Sequence, residues 1–387
     1  MSQKPKLIRI TTVPISLDKL IEGQLRYMNS YYDVTAISSE KEYLEKIGLK
    51  ENVAIYHVEM TRKITPIKDS IAVIKLLFYF LKVKPQIVHT HTPKAGLVGM
   101  LAAKLAGVPI RLHTVAGLPL LEATGFKRKI LNFVEKFTYD CATKAYPNSF
   151  ELQKILITNK LAKSNKLHVI ANGSSNGINI DYFNTTQFSQ NQLDKLKTEL
   201  NIIATDFVFI FVGRLVADKG INELVKAFIK VSETNKNSKL LLVGPFEDDL
   251  DPLEKSTLEV IKSNSSIISV GYQNDVRPYF AISNALVFPS YREGFPNVVM
   301  QAGAMNLPSI VSNINGCNEI IIPNENGIII PVKNQEKLYD AMLEMISNEK
   351  AYLVMKNNAR KLIESRYSQK LVWKAILEEY KKHEQNV

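Results

Sequence analysis

The sequence contains little cysteine and no long apolar run, and both absences narrow the class of protein. Its 387 residues include two cysteines, Cys141 and Cys317, which lie too far apart for the paired spacing of zinc sites and redox motifs. We therefore expect a reducing, cytoplasmic environment with both thiols in the core. No apolar stretch approaches the ~20 residues needed to cross a bilayer. Residues 1–15 carry no apolar segment of signal-peptide length, so neither secretion nor membrane insertion is expected.

The overall composition is that of a soluble globular protein, with 45% hydrophobic residues and a mean hydropathy of −0.06. A chain of 387 residues is too long for one typical core, so we expect two domains. The charge is uneven: residues 1–200 hold 28 Lys and Arg against 16 Asp and Glu, whereas residues 201–387 hold 21 against 22. This excess predicts an anionic partner for the first half, with a lysine-rich surface that favours solubility as the alternative.

Apolar runs alternate with helix-like stretches along the whole chain, a pattern typical of α/β proteins whose parallel sheets are covered on both faces. In the first half the pattern predicts a helix over residues 17–30 and a last strand over residues 167–170. A polar stretch at residues 172–200 contains Asn-Gly turn signals and reads as a linker. We predict an N-terminal domain over residues 1–185, a C-terminal domain over 186–368, and a last helix in 369–387 that packs back on the N-terminal domain.

Two segments with anion-binding character each follow an apolar run and precede a helix-like stretch. The first contains Gly213, Arg214 and Lys219 and ends at Gly220. Arginine can bind a phosphate through two parallel hydrogen bonds, and lysine supplies a mobile positive charge. Glycine permits a tight turn into a helix, and the N–H groups at the start of a helix attract anions. Ligands of open α/β sheets bind at such strand ends. The segment predicts a phosphate site, with two surface cations on an ordinary loop as the alternative.

The second segment runs from Glu293 to Gln301, with Gly294 and Pro296 before a predicted helix start at Asn297. Backbone N–H groups at a helix start can hold a phosphate. The Glu293 carboxylate would repel phosphate, so we expect it to bind sugar hydroxyls; a helix-entry charge favoured by the helix dipole is the alternative. A substrate with both phosphate and hydroxyl groups, such as a nucleotide sugar, suits the two segments together.

These segments resemble the signature loops of the family 4 glycosyltransferases, in which an R-x4-K pair binds the donor diphosphate and an E-x7-E motif binds its sugar and ribose. Arg214-x4-Lys219 matches the first motif, and Glu293-x7-Gln301 matches the second except at its last position. Residues 169–173 are similar to the family's interdomain Pro-Asn-Gly element, and residues 314–320 to its GG-x-x-E region. The resemblance covers nearly the whole chain. It implies the GT-B fold, two Rossmann-like domains with parallel sheets facing across a cleft, and retaining transfer without a bound metal.

The resemblance also implies roles for individual residues. Arg214, Lys219 and Glu293 would act on the donor in catalysis, and Gln301 would hold the ribose through a neutral hydrogen bond, weaker than that of a glutamate. A UDP-sugar is the expected donor, and no cofactor is expected. The donor-binding residues implied in these loops and their neighbours are Gly213, Arg214, Lys219, Gly244, Tyr272, Glu293, Gly294, Phe295, Pro296, Asn297, Val298 and Gln301.

The N-terminal half is expected to bind the acceptor. His113, near the end of a predicted strand, matches the position of a family histidine that contacts the transferred sugar; a buried, hydrogen-bonded histidine is the alternative. His89 and His91 are expected to point to opposite sides of their strand, which argues against a zinc pair, and one of them is expected to line the acceptor site. The acceptor-side residues are Gly23, Gln24, His89, His91 and Lys94.

A metal site and a membrane contact are two further hypotheses. Asp249-Leu250-Asp251 spells the DxD motif by which other glycosyltransferases bind a metal. The two cations of the first segment already supply positive charge, so we expect no metal there. Residues 67–84 combine apolar and aromatic residues with lysines, and residues 127–129 are basic, which suits anionic lipid. We expect the apolar residues at 71–81 to face the core and the lysines to face lipid.

The strings at residues 13–25, 89–96 and 113–125 together resemble a bacterial subgroup that builds capsule, O-antigen and other lipid-linked glycans. The resemblance thus implies a cytoplasmic enzyme, peripherally bound to the inner face of the plasma membrane, that transfers a hexose or N-acetylhexosamine to a polyprenyl-diphosphate-linked sugar. A nucleotide-sugar epimerase of the same fold and a non-catalytic anion-binding protein are the alternatives. Nucleic acid is not expected as a partner, because basic and aromatic residues are not interleaved.

Overall fold

The computed structural model describes residues 4–118, 124–247 and 251–386. The chain divides into two units, one of residues 1–177 together with 370–387 and the other of residues 178–369. Each unit contains a parallel six-stranded sheet and a buried apolar core of its own. Both cysteines are buried, as predicted.

The sheet of the first unit has the strand order β3-β2-β1-β4-β5-β6. Its central strands β1 and β4 are buried almost throughout, since helices cover both faces, and this burial includes the polar residues Arg9, His89 and His91. The strands are β1 Lys6–Ile10, β2 Asp33–Ser38, β3 Ala54–His57, β4 Ile87–His91, β5 Ile110–Val115 and β6 Lys144–Pro147. The helices of this unit are α1 Pro14–Leu20, α2 Gln24–Asn29, α3 Lys41–Glu51, α4 Pro66–Val83, α5 Pro93–Leu105, α6 Gly125–Cys141, α7 Phe150–Thr158 and the last helix of the chain, α16 Gln369–Glu384.

The predicted helix over residues 17–30 is instead two helices, α1 and α2, that are separated at Gly23. Gly23 has a φ of +77°, and a β-carbon at this position would lie 2.8 Å from the Trp373 ring. A residue with a side chain would neither adopt this backbone easily nor fit the space. The close approach of Trp373 therefore explains the break.

Residues 167–170 do not form a further strand of the first sheet. In the described structure Leu167 makes an isolated bridge to Ala145, and the chain then turns at Ala171, whose φ is +51°. A segment that meets the sheet at one residue pair cannot extend a ladder.

The sheet of the second unit, read from β9, has the order β9-β8-β7-β10-β11-β12, which repeats the order of the first unit. In both sheets the order reverses between the first and the fourth strand, and open α/β sheets bind ligands outside the carboxyl ends of the strands at this switch point. The strands are β7 Phe207–Val212, β8 Ser238–Val243, β9 Ile267–Ser269, β10 Ala285–Phe288, β11 Ser309–Ser312 and β12 Gly327–Ile330. The helices are α8 Gln190–Glu199, α9 Ile221–Thr234, α10 Lys255–Ser263, α11 Arg277–Ala281, α12 Asn297–Ala304, α13 Cys317–Ile320, α14 Gln335–Ser347 and α15 Glu349–Tyr367.

The two units meet along the chain at Gly177 and not at residue 185. Ile178 N donates to the Tyr367 carbonyl, and Arg360 donates to the carbonyls of Ile180 and Phe183. Ile178 and Phe183 also belong to the core of the second unit. These contacts attach residues 178–185 to the second unit.

The last helix, α16 (Gln369–Glu384), packs on the first unit. Its apolar face enters the core formed by β1, β2 and the helices beside them. The buried residues of this face are Val372, Ile376, Leu377 and Tyr380. The first unit is therefore assembled from two separate parts of the chain.

Candidate active site

The two predicted anion-binding segments lie together at the switch point of the second unit. β7 and β10 are adjacent, with Ala285 opposite Phe209 and Leu286 opposite Ile210. One segment follows β7 and the other follows β10, at the carboxyl ends of these parallel strands. The fold thus brings together two loops that are far apart in the sequence.

The loop that carries Arg214 is held by the backbone of the loop that follows β8. Leu215 N donates to the Pro245 carbonyl over 2.8 Å. A β-carbon on Gly244 would lie 1.8 Å from the Gly213 carbonyl oxygen, so only glycine permits this approach of the two loops. Gly244 therefore fixes the backbone beneath Arg214.

Gly244 also connects this loop to the predicted donor-binding residue Tyr272. The Gly244 N–H donates to the Gly271 carbonyl over 2.9 Å. The side chain of the next residue, Tyr272, is 71% exposed. Both residues thus lie at the carboxyl edge of the sheet, where the resemblance implied a nucleotide.

Arg214 forms an ion pair that the sequence did not predict. Its Nη1 atom lies 2.8 Å from Oε2 of Glu247, and the two side chains are 45% and 31% exposed. Glu247 lies in the loop after β8, three residues beyond Gly244. The sequence shows that this loop is acidic, but only the folded structure shows that Glu247 pairs with Arg214.

Lys219 and Glu293 form the central ion pair of the site. Lys219 ends a 3-10 turn just before α9, and its Nζ lies 2.6 Å from Glu293 Oε1. The same carboxylate oxygen accepts a hydrogen bond from Ser290 Oγ over 3.1 Å. The pair is partly buried, with side chains 14% and 19% exposed, so its charges attract each other more strongly than surface charges do. The R-x4-K lysine and the first glutamate of the second motif are therefore in direct contact.

A second set of contacts ties the two loops together. Tyr291 N donates to the Asp218 carbonyl over 2.9 Å, and Arg292 binds the Asp218 carboxylate at 2.9 and 3.2 Å. The Tyr291 hydroxyl donates to Glu223 over 2.7 Å. Sequence reasoning missed these residues, although Asp218 and Arg292 directly precede Lys219 and Glu293. Their contacts fix the relative position of the two motif residues.

Asn315 holds the backbone of the second loop. Its Nδ2 donates to the carbonyls of Glu293 and Gly294 over 3.2 and 2.5 Å. A β-carbon on the next residue, Gly316, would lie 2.8 Å from the Gly294 oxygen. Asn315 lies in the segment that resembles the GG-x-x-E region, where the family pattern has glycine. An amide side chain in this chain thus supports the loop that carries Glu293.

Helix α12 begins at Asn297 and presents its first turn to the site edge. Within the described residues, Asn297 and Val298 donate no backbone hydrogen bond, whereas Val299 N donates to the Pro296 carbonyl over 3.2 Å. Two N–H groups of the predicted anion cradle are therefore free for a ligand, and that of Val299 is not. Phe295 packs on the second core and lies 5.4 Å from the Tyr367 ring.

Gln301 lies one turn into α12, and its side chain has no polar contact in the described part of the chain. It is partly exposed. The DxD string falls largely outside the described residues, which include Asp251 but not Asp249 or Leu250. Asp251 Oδ2 accepts a hydrogen bond from Asp218 N over 2.6 Å. Over residues 4–118, 124–247 and 251–386, no three His, Cys, Asp or Glu residues cluster as metal ligands would.

Three predicted acceptor-side residues of the first unit, Gln24, His89 and His91, lie in a buried network. Their side chains are at most 3% exposed. Arg9 donates to His91 Nε2 over 3.1 Å, to the Tyr380 hydroxyl over 3.0 Å, and to Gln24. His89 Nδ1 lies 2.5 Å from the same Tyr380 hydroxyl. This network attaches α16 to the sheet, and an acceptor contact would require exposure that these side chains do not have.

The expectation that His89 and His91 point to opposite sides of β4 is wrong. Their rings are stacked with centroids 4.4 Å apart, because residues i and i+2 of a strand share a face. Burial and the nearby Arg9 charge lower the pKa of both histidines well below the usual value. Both imidazoles are therefore neutral parts of the core at neutral pH.

His113 is also buried, with 2% of its surface exposed. Its Nδ1 lies 2.8 Å from Thr90 Oγ1, and a β-carbon on Gly96 would lie 2.5 Å from its ring. Burial lowers the pKa of His113 to about 4. These contacts favour the structural histidine that the sequence left as an alternative. The chain first becomes accessible after β5 at Ala116, which carries no functional group.

The remaining acceptor-side residues, Gly23 and Lys94, also make internal contacts. Gly23 N donates to Glu51 Oε1 over 3.0 Å, and Trp373 covers its α-carbon. The Lys94 ammonium pairs with Asp69, and both side chains are largely buried. Lys94 thereby holds the start of α4 beside the start of α5.

Comparison with known proteins identifies the family. Residues 193–362 match the glycosyl transferases group 1 model, and residues 21–149 match the glycosyl transferase 4-like model. The capsular polysaccharide biosynthesis glycosyltransferase CapM of Staphylococcus aureus is 32% identical over 372 residues, 96% of this chain and 95% of that protein. The UDP-Gal:alpha-D-GlcNAc-diphosphoundecaprenol alpha-1,3-galactosyltransferase of Escherichia coli is 31% identical over 345 residues, 87% of this chain and 85% of that protein. A glycosyltransferase structure from Rickettsia africae covers 99% of this chain and 100% of its own, with a TM-score of 0.82 and 21% identity.

The fold and these matches define a glycosyltransferase of the GT-B class. The chain belongs to the glycosyl transferases group 1 family, which it matches together with the glycosyl transferase 4-like model. The predicted family resemblance and α/β fold are confirmed. The family and the curated relatives likewise support the predicted transferase activity.

Proposed function

We propose that this glycosyltransferase moves a hexose or N-acetylhexosamine from a UDP-sugar to a polyprenyl-diphosphate-linked sugar in bacterial surface polysaccharide synthesis, with retention of anomeric configuration. The observation that carries the proposal is the contact of Lys219 with Glu293 at the switch point, beside Arg214. One pair of loops thus offers cations for a diphosphate and a carboxylate for sugar hydroxyls. The name of the Escherichia coli relative supports both the UDP-sugar donor and the lipid-linked acceptor.

The proposed chemistry is electrostatic. As the bond between sugar and diphosphate breaks, negative charge grows on the leaving group. Arg214 and Lys219 stabilise this charge, and such fixed groups act most strongly in a site that excludes water. Glu293 receives the sugar hydroxyls while Lys219 moves from the carboxylate toward the phosphate. No bound metal is needed for this role, because the two cations supply the positive charge.

Retention is proposed to proceed without a protein nucleophile. An oxygen of the leaving phosphate takes the proton of the acceptor hydroxyl on the face from which the diphosphate departs, as the family resemblance implies. Gln301 accepts or donates one neutral hydrogen bond to the ribose, where the family pattern has a glutamate. The free N–H groups of Asn297 and Val298 add donors for the diphosphate.

A surface of the first unit supports a membrane location for the acceptor. Along α4 an apolar stripe faces outward, with side chains between 48% and 79% exposed: Ile67, Ile71, Ile74, Phe78 and Leu81. The opposite face of α4 is the buried one, formed by Ala72, Leu76 and Phe80. The expectation that the apolar residues at 71–81 all face the core is therefore wrong, because α4 is apolar on two faces and the sheet covers one.

Charge beside the stripe favours anionic lipid as its partner. Lys68, Lys75 and Lys82 recur every seventh residue along the stripe and are exposed. The single acidic residue of α4, Asp69, is paired with Lys94. A second copy of the chain packed on this stripe would bring two rows of lysine together without acids to pair them. An anionic bilayer offers apolar depth for the stripe and negative charge for the lysines.

A neighbouring helix extends this surface. α5 lies between α4 and α6, and the outer face of α6 exposes Phe126 and Phe133 beside basic residues. No helix of the described residues is long and apolar enough to cross a bilayer. We therefore propose that the protein lies on the inner face of the plasma membrane through α4 and α6, where the lipid-linked acceptor resides.

Replacing Ile74 and Phe78 together by glutamate is expected to abolish binding to phosphatidylglycerol vesicles. The change removes two apolar anchors, each contributing about 1.5–3 kcal/mol when buried, and adds charge that anionic lipid repels. Vesicle co-sedimentation measures the effect. Leu353 and Val354, an exposed apolar pair on α15, provide the matched control when both are changed to glutamate. If the wild type self-associates and the variant merely becomes monomeric with unchanged vesicle binding, the stripe is a dimer contact and the lipid proposal fails.

The catalytic proposal is tested by the release of nucleoside diphosphate from UDP-, GDP- and TDP-sugars. The assay is run in EDTA, with and without a polyprenyl-diphosphate-linked sugar. We expect release from a UDP-sugar only when the acceptor is present, and an α-linked product. Metal-dependent release would contradict the metal-free mechanism, and a preferred GDP- or TDP-sugar would contradict the donor. Conversion of the sugar without acceptor would indicate the epimerase alternative.

A further inference from the structure

Each of three cations at the switch point is paired with a carboxylate. Lys219 pairs with Glu293 at 2.6 Å, and Arg292 pairs with Asp218 at 2.9 Å. Both pairs join the β7 loop to the β10 loop. The third pair, between Arg214 and Glu247 at 2.8 Å, is different because it joins the β7 loop to the loop after β8.

The position of Glu247 is set by the backbone. Gly213 N donates to the Val243 carbonyl over 2.9 Å, and Leu215 forms a parallel bridge with Phe246 just before Glu247. The two loops thus continue the pairing of β7 and β8 beyond the ends of the strands. This backbone pairing places the Glu247 carboxylate beside the Arg214 guanidinium.

The Glu247 side chain has no other polar partner in the part of the chain that the structure describes. Glu293 also binds Ser290, and the Asp218 backbone accepts from Tyr291 N of the β10 loop and donates to Asp251. Both Arg214 and Glu247 are partly exposed, so a ligand from solvent can reach the guanidinium and the carboxylate can turn away. This pair can open without breaking a contact that joins the β7 loop to the β10 loop.

We propose that Glu247 is an affinity-determining residue that competes with the donor diphosphate for Arg214. The inference rests on the proposed function, in which Arg214 binds the diphosphate. Carboxylates and phosphates both occupy the guanidinium fork, and both are negative, so they exclude each other there. Donor binding displaces Glu247, and its return to Arg214 after transfer helps to release the nucleoside diphosphate.

The test compares UDP binding by the wild type and the Glu247→Gln variant, using calorimetry at low salt. Glutamine keeps the shape of the side chain but removes the competing charge. We expect UDP to bind about three- to five-fold more tightly to the variant, a change of the size that exposed ion pairs support. Asp340→Asn is the matched control, because it removes the same charge from an exposed ion pair with Lys337 on α14 and should leave UDP affinity unchanged. Equal or weaker UDP binding by Glu247→Gln would overturn the proposal, and weaker binding would mean that Glu247 orients Arg214.

A second comparison separates competition from general repulsion. In an Arg214→Ala background the gain from Glu247→Gln should largely disappear, because there is no guanidinium left to compete for. If the full gain in UDP affinity persists without Arg214, competition for the guanidinium is refuted and general charge repulsion explains the gain. Inorganic pyrophosphate serves as a second probe. If the wild type binds no UDP, GDP, TDP or pyrophosphate, the proposed donor class fails together with this inference, whereas normal wild-type binding with an unchanged variant refutes the inference alone.

Discussion

Replacing Lys219 by alanine is expected to lower kcat/KM about 10³-fold, which is the range for removing one fixed group that stabilises transition-state charge. The change also leaves Glu293 without its cation in a site where both side chains are less than one-fifth exposed. An unpaired carboxylate there would repel the incoming diphosphate, so donor affinity should fall as well as turnover. Steady-state release of nucleoside diphosphate measures both effects.

A neighbouring lysine provides the control for this prediction. Lys226 lies on α9 and pairs with Glu254 at 2.7 Å, so Lys226→Ala removes the same charge and a similar ion pair. Its kcat/KM should stay close to that of the wild type. Thermal unfolding of both variants shows whether the fold is retained. A well-folded Lys219→Ala enzyme with near-normal turnover would refute the proposed role of Lys219 in stabilising the leaving group.

The free energy of unfolding is expected to fall between pH 7.5 and pH 5.5, because three histidines are buried in neutral form, and His113 alone contributes about 1.4 kcal/mol of this fall. Burial lowers the pKa of His113 to about 4, and that of His89 and His91 well below the usual 6.5. Below pH 6.5 the unfolded chain binds protons that the folded chain does not, so acid favours unfolding. Below pH 6.5 His113 contributes about 1.4 kcal/mol per pH unit until the pH approaches its folded pKa, and His89 and His91 act in the same direction.

The surroundings of these histidines support this direction. Arg9 on β1 places a positive charge beside His89 and His91. α16 contributes the Tyr380 ring and His383, which also lowers the pKa of His89, and α6 contributes the Tyr139 ring. Urea unfolding at several pH values measures the slope. His113→Gln should reduce the slope by about one proton. A flat profile from pH 7.5 to 5.5 would show that the histidines can be protonated within the fold.

The position of the two loops of the candidate site was predictable because its signal is local. Arg214, Lys219 and Glu293 each lie just after an apolar run, and parallel strands bring all such positions to one edge of a sheet. The alternation of strands and helices along the sequence was enough to predict the α/β fold class. Asn315 and Glu247 were missed because each contacts a loop that is distant in the sequence. No spacing in the sequence marks such a contact.

The first unit was harder to predict because burial depends on what covers a strand or a helix. In the sequence, His89, His91 and Gln24 lie near the ends of a strand and a helix, where ligand-binding residues are often found. They are buried because a helix from the far end of the chain covers them. For α4 the sequence shows apolar residues on two faces, and only the packing decides which face is the core.

The two-part construction of the first unit affects the order in which the protein is completed during synthesis. Arg9 and His89 precede the second unit in the chain, yet the Tyr380 hydroxyl that bonds both follows it. The second unit, residues 178–369, is one continuous stretch and can fold as soon as it emerges. The first unit therefore begins before the second unit and is finished only after it, and a nascent chain stalled before α16 would expose an apolar sheet face and leave Arg9 without its Tyr380 partner.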